Sequence, residues 1–305
     1  MPRGHTQDAT RFTQVLRQTN SEVSLKFFAP KGIPYRLQTS TDLFHWDTWI
    51  TGLSGGTNTH IDAGAPFGTD RFYRAISVDG TNYLTGDHLP TANGDLIIHP
   101  VNHASVVMAW NGLTLYVDPV GGASPYKTFA RADLILVTHS HGDHFDVATL
   151  NAVMTTNTLL IAPAAVYASL SAAVKARTMS LSNGASTNAL GIPVDAIAAY
   201  NSNHPKGSGN GYVLSLGGLR VYLTGDTDDV PEMRALRNID VAFVCMNVPF
   251  TMTVTKAASA LREFRPRIVY PYHYRNQDGS LANFQTLRQQ LGTDLGIELR
   301  LRPWY

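Results

Sequence analysis

A chain of 305 residues suggests two domains, and 44% hydrophobic with 15% charged residues describes an ordinary globular protein able to bury a sizeable core. With 24 basic against 23 acidic residues the net charge is +1, which supplies neither the basic stripe of a nucleic-acid binder nor a reason for an acidic partner or an anionic membrane surface. No apolar run approaches the roughly 18 residues of a transmembrane helix, and the single cysteine, Cys245, excludes an intramolecular disulfide.

Residues 1–20 read as a polar tail without the apolar centre of a signal peptide. Met1–His5 resembles a remnant of expression, so a removed leader, and with it a secreted or periplasmic location, stays open. Residues 21–80 read as short strands only. VSLKFFA, YRLQTS, WDTWIT and RFYRAIS are rich in aromatic and β-branched residues, with turn signals at Pro30-Lys31-Gly32, residues 52–58 and Gly64-Ala65-Pro66. This spacing predicts a small all-β sandwich. Trp46, Trp49, Phe72 and Tyr73 could form a carbohydrate-binding face, but aromatics in so small a sandwich more often form its core.

Residues 81–94 are turn-rich and read as a linker. From residue 95 the rhythm changes. VVMAW and LTLYVDP form a hairpin across Asn111-Gly112. Then follow DLILVT, a helix near 146–154, TLLIAP and a helix near 164–176. VDAIAAY and the hairpin YVLSLGGLRVYLTG come next, then a helix from Pro231 and the strand VAFVCMNV, whose Cys245 reads as a buried core thiol. A helix near 255–264, RIVYPYH, a helix near 281–291 and GIELRLR close the chain. Strands interspersed with helices predict an α/β domain over 95–305, with helices layered on sheet.

Thr138-His139-Ser140-His141-Gly142-Asp143-His144 follows the strand-like Asp133–Val137. Three imidazoles and a carboxylate are poor material for a core. In a tight loop at a strand end, alternate side chains can converge on one point, and Gly142 would let the backbone turn sharply. This differs from HExxH, whose two histidines share one helix face.

HSHGDH resembles the HxHxDH signature of the metallo-β-lactamase superfamily, and later segments follow in the family's order. Gly225-Asp226-Thr227 resembles the segment whose aspartate bridges two metals. His273, in YPYHY, resembles the last ligand histidine. Asn102-His103-Ala104-Ser105, with the hairpin to Asp118-Pro119, resembles the branch of ascorbate-phosphate lactonases and N-acyl-phosphatidylethanolamine phospholipases. The resemblance covers about residues 95–305 and implies an αββα sandwich. YRLQTSTDLFHWDTW and DRFYRA resemble fibronectin-like modules.

One position departs from that pattern. Where the branch often carries its third site-one histidine, this chain has Asn201, and His204 follows 22 residues before Asp226. The resemblance therefore implies site one as His139, His141, His204 and Asp226, and site two as Asp143, His144, Asp226 and His273. Weak ligation by Asn201, or a mononuclear site, are the alternatives. Two divalent ions are implied. Nitrogen and carboxylate ligands suit zinc, while manganese, iron and nickel accept the same set.

Such a pair of ions activates a water for attack on a carbonyl carbon or phosphorus. Asp143 would orient it and handle the leaving group's proton. Asn201 could donate to a carbonyl oxygen, Lys206 could meet an anionic group, and His103 could reach the pocket. The bland readings are a solvated loop for Lys206 and a backbone contact for His103. Tyr272 and Tyr274, alternating with His273, read as packing. The implied activity is hydrolysis of an ester, lactone or phosphodiester in a small molecule, with β-lactam hydrolysis or a non-catalytic metal-binding module as alternatives. His141 stands where the family's diiron flavoproteins carry glutamate, and the interval from Asp226 to His273 has no room for the extra domain of its processing nucleases. No motif bears on oligomeric state.

Overall fold

A computed structural model describes residues 10–18, 22–31, 34–43, 46–53, 56–62, 70–77 and 85–305. Residues 1–9 and 19–20 of the expected tail, the turn signals at Gly32, Ser54-Gly55 and Gly64-Ala65-Pro66, and residues 81–84 of the expected linker lie outside the described residues, while Arg11–Arg17, read as part of that tail, form a strand instead. The chain divides into two units: one takes in the residues up to Pro90 with Asp95–His99, the other Thr91–Gly94 and Pro100–Tyr305.

The first unit is all-β. Its strands are β1 (Arg11–Arg17), β2 (Val23–Phe28), β3 (Pro34–Ser40), β4 (Asp47–Leu53), β5 (Thr57–Asp62), β6 (Phe72–Ser77), β7 (Gly86–Leu89) and the start of β8 (Leu96–Asn102). β2 lies between β1 and β5; β3 lies between β4 and β6, and β7 joins β4 to β8, all antiparallel. Alternation does the sorting: Val23, Leu25 and Phe27 of β2 meet Tyr35, Leu37, Trp49 and Ile50 of β3 and β4 in one core. Trp49 and Tyr73 belong to that core, Tyr73 also donating to Asp62 Oδ2 at 2.9 Å, whereas Trp46 is half-buried under the Arg74 guanidinium. Residues 81–94 hold a strand, β7, where the turn-rich text suggested only a linker. A burial signal of just Asp87-His88-Leu89 is too short to read as periodicity.

The second unit has two mixed sheets with helices interspersed. β9 (Ser105–Trp110) and β10 (Leu113–Val117) form the expected hairpin. β11 (Leu134–Leu136), α1 (Val147–Val153), β12 (Leu159–Ala162), α2 (Ala164–Ser169), α3 (Ala172–Lys175) and β13 (Thr178–Ser180) extend it, with β10 to β13 parallel. The helix expected over 164–176 is broken. Leu170 is extended and Ser171 caps α3 by accepting from the Val174 N–H, because a serine side chain competes with the helical backbone for its own hydrogen bonds.

The other sheet runs β14 (Ser186–Ala189), β15 (Ile192–Ala199), β16 (Gly209–Leu216), β17 (Leu219–Leu223), then, after α4 (Pro231–Arg234), β18 (Val241–Cys245), α5 (Val254–Phe264), β19 (Ile268–Tyr272), α6 (Phe284–Leu291) and β20 (Glu298–Leu299). β17 through β20 are parallel, so their C-terminal ends share one rim. Bonds between the sheets there run from Tyr212 Oη to Val137 O (2.9 Å), from Asn210 N to Thr138 O (2.9 Å) and from Asn210 Nδ2 to Leu181 O (2.9 Å). Among the described residues no helix is long and apolar enough to cross a membrane.

Candidate metal centre

The site gathers at strand ends. β11 runs out into Thr138-His139, β17 into Gly225-Asp226, β19 into His273, β8 into His103 and β10 into Asp118. His139 to His144 close as a turn in which His141 O accepts the N–H groups of His144 (3.0 Å) and Phe145 (2.8 Å). That helical turn suits any residue. Gly142, expected to permit the bend, lies outside the left-handed region and a Cβ there would meet nothing within 4 Å. The glycine that matters is Gly225, at φ +60, where a Cβ would come within 3.0 Å of Thr138 Cβ and Asn210 O.

Three sets of potential ligand atoms, each within 4.8 Å of one another, share members: His139, His141 and His204; His139, His144 and Asp226; and His103, Asp143, His144 and His273. The second set joins the other two. Asp226 Oδ1 lies 3.3 Å from His144 Nε2 and 3.5 Å from His273 Nε2, while its Oδ2 is 4.0 Å from His139 Nε2. Asp143 Oδ2 lies 3.4 Å from His273 Nε2 and 3.8 Å from His144 Nε2. All seven residues of the implied two-site set thus come together, and His103 joins them.

His204 Nε2 faces His141 Nδ1 at 3.0 Å, beside the His139 ring. Asn201 sits behind His204: its Oδ1 accepts the His204 N–H (3.0 Å), and its Nδ2 lies 2.9 Å from His204 Nδ1 and donates to Asp226 O (3.2 Å). Both ends of that amide are occupied within the protein. Lys206 turns away, ion-paired with Glu232 at the surface and lying over the Tyr200 ring. Tyr272 and Tyr274 pack: Tyr272 Oη accepts the Gly225 N–H (2.9 Å), and Tyr274 Oη donates to Arg302 O (3.1 Å). Cys245 is fully buried against Thr227 O, and burial pushes its thiol up to about 12.

A buried polar atom without a partner costs about 1–3 kcal/mol. Here His139 Nε2, His144 Nε2, Asp226 Oδ1 and both ring nitrogens of His273 are buried and unbonded. Orphans of this kind, nitrogen and carboxylate in type and converging on one volume, fit divalent cations. Charge is distributed accordingly. Burial and the neighbouring imidazoles push His139 down to about 2, and burial also lowers His204 and His103. Burial opposes ionisation of Asp226 and Asp143, but the surrounding imidazoles outweigh it and hold both carboxyls well below the usual range. Burial opposes charge on His144 too, yet the Asp226 and Asp118 carboxylates on either side raise it well above an ordinary histidine.

Sequence reasoning gave Asp118 no role. Fully buried, it accepts from Thr138 N through Oδ1 (2.7 Å) and from Thr138 Oγ1 through Oδ2 (2.7 Å), and its Oδ2 lies 2.7 Å from His144 Nδ1. It therefore fixes both the loop and the tautomer of a candidate ligand. Asp118-Pro119 ending a hairpin strand was the available signal. Tyr305, whose Oη lies 2.8 Å from His103 Nδ1, gave none.

Fold and site together define a metallohydrolase-type sandwich, and the comparisons agree. Residues 98–273, more than half of the chain, match the beta-lactamase superfamily domain. A UPF0173 metal-dependent hydrolase of Pyrococcus furiosus is 30% identical over 195 residues, spanning 61% of this chain and 85% of that protein. A crystal structure from Parabacteroides distasonis, assigned to the metal-dependent hydrolases, aligns at 38% identity and a TM-score of 0.64, covering 72% of this chain and 99% of the other. Igni18, a metallo hydrolase of Ignicoccus hospitalis, shares the fold at 21% identity and a TM-score of 0.59, over 68% of this chain and 94% of its own. The chain belongs to the metallo-β-lactamase superfamily, among its metal-dependent hydrolases.

Proposed function

We propose that the protein is a binuclear hydrolase that cleaves an ester, lactone or phosphodiester bond in a small molecule. The observation that carries this reading is the shared position of Asp226. It is nearly buried and lies between the His139–His141–His204 set and the Asp143–His144–His273 set, as an aspartate bridging two cations must. Zinc suits the donors best; manganese, iron and nickel are the other candidates. Bound ions would supply Lewis acidity and bring the pKa of a coordinated water toward about 7.

The chain's own residues divide the remaining work by exposure. Asp226 is 6% exposed and can act only on what lies inside. Asp143 is 48% exposed at the mouth, so its carboxylate can orient the attacking water and hold a proton for the leaving group. Depression of the Asp143 carboxyl supports the first role, since it keeps the group an acceptor at neutral pH. His139, His144 and His273, each 5% exposed or less, exclude bulk water from the floor. Elemental analysis of chelator-free protein should give close to two transition-metal ions per chain. Turnover on a lactone, a carboxylic ester and a phosphodiester should vanish in Asp143→Ala, with the fold retained. Metal-free protein that takes up neither zinc nor manganese, or an Asp143→Ala variant with normal turnover, would overturn the reading.

A further inference from the structure

We infer that His103 is a positioning residue for Asp143, itself held in place by Tyr305; the inference rests on the proposed binuclear site. The imidazole spans the two: its Nε2 lies 3.1 Å from Asp143 Oδ2, and its Nδ1 lies 2.8 Å from Tyr305 Oη. Donor accounting selects one arrangement of protons. Tyr305 Oη already accepts the Arg275 N–H (3.3 Å), and a carboxylate oxygen can only accept. If His103 carried its proton on Nδ1, the Nε2 lone pair would face the Asp143 carboxylate with nothing between them. With the proton on Nε2, every group is satisfied in a single direction: Arg275 N–H to Tyr305 O, Tyr305 O–H to His103 Nδ1, His103 Nε2–H to Asp143 Oδ2. The bond falls on the oxygen that also faces His273 Nε2 (3.4 Å) and His144 Nε2 (3.8 Å), so it pins the carboxylate's rotation with that oxygen toward the candidate ligands.

The backbone is committed to the same end. His103 N donates to Trp304 O (3.1 Å), and His103 O accepts from His273 N (3.1 Å), so the residue is stitched between the C-terminal segment and a candidate ligand. Its ring lies 3.8 Å, centroid to centroid, from that of His273. It also adopts φ +56, a left-handed conformation in which glycine is at ease and any side chain is uncommon. A two-residue turn between β8 and β9 needs no imidazole. The strain is tolerated where the side chain has work to do.

That strain provides the test, because a turn residue and a positioning residue respond oppositely to glycine. His103→Gly, His103→Asn and Tyr305→Phe are made in the full chain, stripped with a chelator and titrated with zinc against a chromophoric competitor. Removing the imidazole should weaken the weaker-bound of two zinc ions by about 10–100-fold, the range for loss of a group orienting a ligand. Metal-free His103→Gly should melt no lower than wild type, since its backbone strain is relieved. Tyr305→Phe should weaken the same ion by a smaller factor and lower kcat more than it raises KM. Wild-type zinc affinity in His103→Gly and His103→Asn would overturn the inference and leave the binuclear reading intact. A wild-type chain that binds no zinc would overturn both. Should His103→Gly fail to fold, His103→Asn and Tyr305→Phe decide the matter alone.

Discussion

Asp118→Asn tests how the floor of the site is wired. The substitution keeps size and shape but turns one acceptor oxygen into a donor. In the native arrangement Oδ1 takes the Thr138 N–H, while Oδ2 faces Thr138 Oγ1 and His144 Nδ1, each at 2.7 Å. An asparagine must give its carbonyl oxygen to the backbone N–H, so its amide group points at Thr138 and His144. Threonine's hydroxyl can accept instead of donate. His144 can accommodate the amide only by giving up its Nδ1 proton and keeping the one on Nε2, which sits 3.3 Å from Asp226 Oδ1, in the volume assigned to the cations. The lone pair a metal needs is then occupied. Stability should change little: three charge-assisted bonds become neutral ones, about 1 kcal/mol in all, or roughly 2–4 °C in melting temperature of the metal-free protein. Zinc affinity should fall by at least 10–100-fold, as for loss of a group that orients a ligand histidine. Asp118→Ala, by contrast, strands two buried donors and should cost about 3–5 kcal/mol, unfolding part of the population. Calorimetric melting and competitive zinc titration on the same samples separate the two effects. If Asp118→Asn binds zinc like wild type at unchanged stoichiometry, the tautomer argument is wrong.

His204→Ala should reduce bound metal from two ions toward one and abolish turnover, whereas Asn201→Ala, which loosens His204 rather than removing it, should retain both ions at lower affinity; elemental analysis and titration read the difference. Zinc uptake should release protons and strengthen with rising pH, because His144 in the metal-free chain is held above its ordinary value and carries a proton at neutral pH that the metal must displace. Asp226 and Asp143, held low, have no proton to give there. Calorimetry in two buffers of different ionisation enthalpy measures the release, and identical heats in both would refute it. Lys206→Ala should leave kcat and KM near wild type on any substrate, since its partner is Glu232 at the surface.

Much of the site was legible because its residues carry their chemistry in their identity. Three histidines and an aspartate in six positions have no reason to sit together in a core, and the later Gly225-Asp226 and His273 follow in the order the fold requires. His204 was legible by its separation from Asp226, although nothing in the local text chose between it and Asn201. Geometry assigns them different places: the imidazole faces His141, and the amide holds the imidazole from behind. Tyr305 was not legible, because a residue that acts by touching another residue leaves its mark in space alone, and Asp118 showed itself only through Asp118-Pro119 at the end of a hairpin strand. The strand β7 was hidden because it is only four residues long, and one of its two partners, β4, is distant in sequence.

The backbone at the site adds something the side chains do not. His103 (φ +56), Asp118 (φ +43), Gly225 (φ +60) and His273 (φ +47) are all left-handed, and each stands just beyond the end of β8, β10, β17 or β19. Three of the four are not glycine, and such positions cost about 1–3 kcal/mol each. Strand alternation alone would have sent His273 to one face of its sheet, opposite Tyr272. A single left-handed residue after the last strand position instead turns the chain at the rim, where the parallel strands of the sheet end together. The strain and the unsatisfied imidazole nitrogens are thus two costs of one design. Both fall on the metal-free protein, and bound cations would compensate the second directly by filling the orphaned lone pairs. Zinc should accordingly stabilise the second unit far more than the first, and the melting of the two units should separate as zinc is added. A zinc-independent melting profile would refute that coupling between site and fold.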